Sequence, residues 1–231
     1  MIEEYEDFLS GSEYLRAFSE GRINDHDTTL LISFNGVQLF HNKLSNCWIY
    51  IWGIYDISPD ARYKVDAVPV RGFIPGPNAP QNFDSFFYPG LHHLSVLQRE
   101  GFKVWDVYDE AIHLSKPFLA IGAADGPGAT HISGLVGHSG YYRCQTYCPM
   151  KGCHNSDENT YCTVHLKPDN YILPGCDHAD YPFYQMPVRP HEEYMSNLNF
   201  LIASTGPTQF TDRHCETGIS KPSVFSGLLS L

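Results

Sequence analysis

From Thr28 onward, short apolar runs alternate with turn residues. TTLLISFNGVQLF, CWIYIWGIYDI and VDAVPVRGFIPGP carry β-branched and aromatic residues at the density of strands. Asn35-Gly36, inside the first run, is the dipeptide most typical of a tight hairpin, so that run reads as strand, turn, strand. The second run, Cys47 to Ile57, is almost continuously apolar and reads as a buried central strand. Pro75-Gly76-Pro77 stops the third. The period then changes. Phe83, Phe86, Phe87, Leu91, Leu94 and Leu97 recur every three to four positions, with Gly101 behind them as a C-cap, which predicts a helix disturbed at Pro89. FKVWDVYDEAIHL carries a short strand, and KPFLAIGAADGPGATHISGLVG runs from a buried strand through Asp125 into a helix. RPHEEYMSNLNFLIAST and PTQFTDRHCETG read as two further helices, the first with Pro190 at its start and acidic residues in its first turn. Upstream, SGSEYLRAFSEG forms at best a short helix with Ser12 as N-cap.

The order β-β-β-α-β-β-α, followed by a loop and helices, predicts a mixed α/β layer fold without internal repeats. A chain of 231 residues, 42% hydrophobic and 14% aromatic, can bury a core of one sizeable domain. The formal net charge of −11 repels a phosphate backbone on average, so DNA is a partner only through a local basic face, and weakly. No run of about 18 apolar residues is present, which argues against a membrane partner. The start MIEEYEDFL is acidic where a secretory leader is basic, so the expected location is intracellular. Seven cysteines, an odd number, then point to free thiols or metal ligands.

Candidate chemistry falls at two places. Asp125, between an apolar strand and a helix, sits at the carboxyl end of a central strand, where open α/β sheets hold their sites; the competing reading is a helix or turn cap. Asn35 ends the first strand of the same sheet and lies beside Asp125 if the two strands are neighbours, although a neutral amide brings no charge to a divalent cation. The second place is the stretch from His138 to Asp180. Cys144, Cys148, Cys153, His154, Cys162, His165, Cys176 and His178 are eight candidates for the four positions of a structural zinc site, within a long segment that lacks periodicity. His92 and His93 have no partner at metal spacing, and Asp84, Asp106 and Asp109 read as caps or solvated charges.

The ordered set RYKVDAVPVRGFIPGPNAPQNFDSFFYP, ADGPGATHISGLVGHSGYYRCQTYCPMKGCH, LKPDNY, GCDHAD and ETGISKPSVFSGL resembles cut-and-paste DNA transposases of the CACTA-like group, most closely the Plavaka type. The resemblance runs from about Asp27 to the C-terminus. It implies a ribonuclease-H-like mixed sheet with flanking helices, in which three carboxylates hold two Mg²⁺ ions for strand nicking and transfer, acting in the nucleus. Asp125 matches the second acid of that family, and Asn35 stands where it has the first. The third, a Glu, is expected beyond SKPSVFSGL, where this chain stops at Leu231; Glu192 and Glu193 lie in an intervening helix. The family's Cys/His insertion matches Cys144, Cys148, His154, Cys176 and His178, which implies structural zinc. The implied division is an acidic lead-in at 1–27, the N-terminal part of the core at 28–137, the Cys/His-rich insertion at 138–180 and a helical segment at 181–231. The expectation is a truncated core without cleavage activity. The alternatives are a zinc-stabilised module that binds DNA or protein, and an active nuclease or transposase fragment completed by a downstream Glu.

Overall fold

Strand β1 runs unbroken from Thr29 to Gln38, straight through Asn35-Gly36. The hairpin turn expected at that dipeptide does not form. Gly36 instead lies opposite Trp48 of β2 (Asn46–Ile54). A Cβ on Gly36 would stand 3.3 Å from the Trp48 ring, so the glycine supplies room for an indole rather than the positive φ of a turn. The computed structural model describes residues 7–38, 46–64, 67–68, 70–76, 78, 80–137, 140–142, 144, 147–154, 161–162 and 180–228. They fall into two units, Met1–Gly128 with Phe225–Leu231, and Ala129–Val224.

In the first unit, β2 pairs antiparallel with both β1 and β3 (Val70–Pro75), while β6 (Phe118–Ala124) pairs parallel with β1. The sheet order is β3-β2-β1-β6, which makes the two most apolar runs the inner strands; the mixed α/β class that the pattern predicted is present, and the sheet is mixed, as the resemblance implied. Helix α3 (Asp84–Glu100) continues through Pro89 and ends at Gly101, whose φ of 72° suits a residue without a Cβ and whose N–H donates to the Leu97 carbonyl at 2.7 Å. The helix lays Phe83 and Phe87 against the sheet. Phe34 meets their rings edge-on at 5.4 and 4.9 Å, Trp48 stacks on Phe34 at 5.0 Å, and Tyr50 reaches Phe87 at 5.4 Å. Each such pair contributes about 0.5–1.5 kcal/mol beyond the area that it buries.

After α3 the sequence signalled one short strand, and the structure has two. β4 (Phe102–Asp106) and β5 (Ala111–Ser115) form a separate antiparallel ribbon. Helix α1 (Ser12–Ser19) starts from Gly11 without a side-chain cap, where Ser12 was expected to provide one, and its Ala17 packs with Ile23 against Phe118. The short helix α2 (Pro59–Arg62) ends in an arginine that is only 2% exposed. Arg62 donates to both oxygens of Asp7, at 2.9 and 2.6 Å, and to the carbonyls of Tyr55 and Ile57.

Helix α4 (Gly126–Ser133) carries the chain from the first unit to the second. There Leu135 and Ile219 bridge backbones and pack with Leu198 and Leu201 of α5 (His191–Ile202). Helix α6 (Pro207–Thr217) ends at Gly218 in the left-handed region, φ 73°. The expected pair of C-terminal helices is present. Strands β7 (Cys153–His154) and β8 (Tyr161–Cys162) pair as a two-residue ladder. Among the described residues no helix is long and apolar enough to cross a membrane.

Candidate functional site

The parallel register of β1 and β6 ends at Phe34 opposite Ala124, so the next residue of each strand, Asn35 and Asp125, emerges at the same end of the sheet. The two are in contact. The backbone N–H of Asp125 donates to Asn35 Oδ1 at 3.0 Å, and Asn35 Nδ2 donates to Ser33 Oγ at 3.1 Å. Asp125 Oδ1 accepts the N–H of Gly128 at 2.7 Å, which is the bond of a helix N-cap at the start of α4. Gly128 is held close: a Cβ there would lie 2.7 Å from Asp125 Oδ1 and 2.9 Å from the Phe34 carbonyl oxygen. The capping reading of Asp125 therefore holds, while the strand that it follows, β6, is an edge strand of the described sheet and not the central one expected. Both Asn35 and Asp125 are exposed.

In the second unit Cys144 and Cys148 flank a tight turn, with the Tyr147 N–H donating to the Cys144 carbonyl at 3.0 Å and Tyr147 at a φ of 57° that is rare for a side chain of its size. Burial, and next a hydrogen bond with the Cys144 thiol, pushes the Cys148 thiol up to about 11. The turn is anchored to its own unit. Tyr147 Oη accepts from Asn197 Nδ2 at 2.9 Å, its ring meets Tyr194 edge-on at 5.3 Å, and the Arg189 guanidinium lies over the rings of Tyr142 and Tyr147 at 4.8 and 4.6 Å. His154 is described by its backbone in β7 alone, and Cys176 and His178 lie outside the described residues.

A third group was not anticipated. His26, Asp106, Asp109 and His113 of the first unit each present a ligand atom within 4.8 Å of the others. The imidazoles of His26 and His113 stack at 3.5 Å with a 13° angle between planes, and His113 Nε2 stands 3.2 Å from Asp109 Oδ2. Backbone N–H groups of Tyr108 and Asp109 donate to Asp106 Oδ1 and hold that carboxyl below its ordinary value. Asp106 thus fills the capping role read from the sequence and belongs to a cluster as well. Its sequence signal was faint because the members come from a loop, a strand end, a turn and a strand.

A cavity of about 630 Å³ lies among Tyr141, Tyr142, His214, Cys215 and Glu216 of the second unit, and another of about 430 Å³ between α3 and the sheet beside Tyr50, Trp52 and His93. None of the described candidate residues at positions 35, 125, 144 or 148 lines either. Compared with known proteins, the chain matches no family model and no curated protein.

Proposed function

We propose that the chain is a transposase-like core, ribonuclease-H-like in its sheet, whose strand-end centre keeps the arrangement of a two-metal nuclease but lacks the charge, so that it does not cleave DNA. The observation that carries this reading is the contact of Asn35, within β1, with Asp125, just past β6, where the parallel pairing of the two strands ends. Three antiparallel strands followed by a fourth parallel to the first, with a helix between, support it. A pair of Mg²⁺ ions does not fit the donors present. Asp125 is the one carboxylate of the pair, one of its oxygens already caps α4, and the Asn35 oxygen already accepts a backbone N–H. Mg²⁺ sheds its hydration shell reluctantly, and one half-committed carboxylate offers little in exchange.

The resemblance also implies structural zinc, and the approach of Cys144 to Cys148 favours a second reading, a zinc-stabilised module that contacts DNA or protein without cutting. Two adjacent thiols on an anchored turn can supply half of a tetrahedral site, with His154, Cys176 and His178 as the implied candidates for the two remaining places. Zinc would ionise the Cys148 thiol, which burial keeps protonated, and would release its proton on binding.

The test is nicking of supercoiled plasmid in Mg²⁺ or Mn²⁺ by the wild type, Asp125→Ala, Asn35→Asp and Asn35→Asp/Asp125→Ala. None should nick. Asn35→Asp should nevertheless bind Mn²⁺ several-fold more tightly in a calorimetric titration, because it restores a charge beside Asp125. Nicking by the wild type that disappears in Asp125→Ala would overturn the inactive reading.

A further inference from the structure

We propose that His26, Asp106, Asp109 and His113 form a binding site for a divalent transition-metal ion, with Zn²⁺ as the best match, that pins the loop before β1 to the β4–β5 ribbon. Two imidazoles and two carboxylates are a borderline-soft donor set. They suit Zn²⁺, Co²⁺ or Ni²⁺ and discriminate against Mg²⁺ and Ca²⁺, which take oxygen ligands.

The ribbon explains why the ligands converge. His113 lies opposite Val104, and Asp106 opposite Ala111, so strand alternation places Asp106 and His113 on one face, while Lys103, Trp105, Ile112 and Leu114 take the other. The turn brings Asp109 back over that face, four residues before His113. His26 arrives from 80 positions earlier, on a loop fixed independently of the cluster. Its neighbour Asp27 accepts the Lys116 N–H at 2.7 Å and both the backbone and side-chain N–H of Asn24 at 2.9 and 3.0 Å, and the Thr28 N–H donates to Ser115 Oγ at 3.2 Å. The two segments are thus held together by bonds that do not involve the four candidate ligands.

The donor atoms are only partly committed. His113 Nε2 is shut off from solvent and makes no well-aligned hydrogen bond among the described residues, despite the nearby Asp109 oxygen. Asp106 spends one oxygen on the turn and keeps the other. A bound ion would turn the stacked rings so that their in-plane lone pairs converge, which stacking at 3.5 Å does not yet provide. The site shares no residue with the Asn35–Asp125 pair or with the cysteine cluster, and it stands whether or not the transposase-like reading does.

The test is equilibrium dialysis of the metal-free full chain against Zn²⁺, alone and after His26→Gln, His113→Gln, Asp109→Asn, Asp125→Ala and Cys144→Ser. Each histidine variant should lose one equivalent of zinc, Asp109→Asn should weaken that equivalent at least tenfold, and Asp125→Ala should retain it; Cys144→Ser, which removes a ligand of the cysteine site, should still lose that further equivalent when combined with His113→Gln. Saturating Zn²⁺ at a hundredfold excess over the dissociation constant should raise the Tm by roughly 5–10 °C, a rise absent from the histidine variants. Should a variant fail to fold, substoichiometric Ni²⁺ on the wild type decides the matter, by broadening the ring protons of His26 and His113 before those of His92 and His93. Unchanged zinc stoichiometry in folded His26→Gln and His113→Gln overturns the proposal, and so does Ni²⁺ broadening that begins at His92 and His93.

Discussion

A guanidinium that is 2% exposed needs an anion, and Asp7 supplies it. Removing Asp7 would leave Arg62 buried with neutral partners, the Tyr55 and Ile57 carbonyls, the Tyr55 ring and Tyr63, and no carboxylate, so Asp7→Ala should cost about 3 kcal/mol in urea unfolding at neutral pH. The bond with Arg62 lowers the folded carboxyl below its ordinary value of 3.8. Stability from this pair is therefore present above that value and lost as pH falls through the lower folded value, and the deficit of Asp7→Ala should shrink over the same range. Residue-scale chemistry was unevenly legible in the sequence. Asn35 and Asp125 could be placed together because each ends an apolar run, and strand ends in a mixed sheet are few. Arg62 gave no signal, since nothing local distinguishes a buried arginine from a solvated one when its partner is 55 residues away. The His26 cluster was equally hidden, and its two acids at positions 106 and 109 had an adequate local explanation as caps.

Elements followed the hydrophobic period closely where length reinforced it. Helices α3, α5 and α6 are long enough for their apolar spacing and their end residues to agree. The Asn35-Gly36 turn failed because a dipeptide preference competes with nine consecutive residue pairings between β1 and β2, and the tertiary ladder outweighs it. The β4–β5 ribbon was read as one strand because its turn, Val107 to Glu110, contains neither Gly nor Asn and relies on Glu110 at φ 50°. Glycine matters most at the C-terminal end of α4. Gly134 has φ 72°, its carbonyl accepts the N–H groups of Ser220 and Lys221, and a Cβ there would fall on the Lys221 carbonyl oxygen. Gly134→Ala should therefore destabilise by about 2–4 kcal/mol in thermal or denaturant unfolding, combining left-handed strain with a backbone clash that no side-chain rotation relieves. Gly126→Ala, whose Cβ would meet nothing within 4 Å, is the control and should change stability by less than about 1 kcal/mol.

For the molecule as a whole, charge decides what can approach. A formal net charge of −11 should hold the dissociation constant for duplex DNA above roughly 10 µM at near-physiological salt, as measured by filter binding across a salt series. Submicromolar binding there would mean that a local basic face outweighs the total. Composition made this expectation legible, along with the α/β class. The arrangement of the Cys/His segment was not, because its spacing is aperiodic and eight candidate ligands outnumber four places; the described residues bring Cys144 to Cys148, and Cys176 and His178 lie outside them. One consequence of the strand-end pair reaches beyond catalysis. By accepting the Asp125 N–H, the Asn35 side chain adds a final rung to the β1–β6 ladder after the backbone pairing stops. That rung is a hydrogen bond to an uncharged amide, indifferent to chelators, to added salts of divalent ions and to acid, so this tip of the sheet keeps its register without a bound ion.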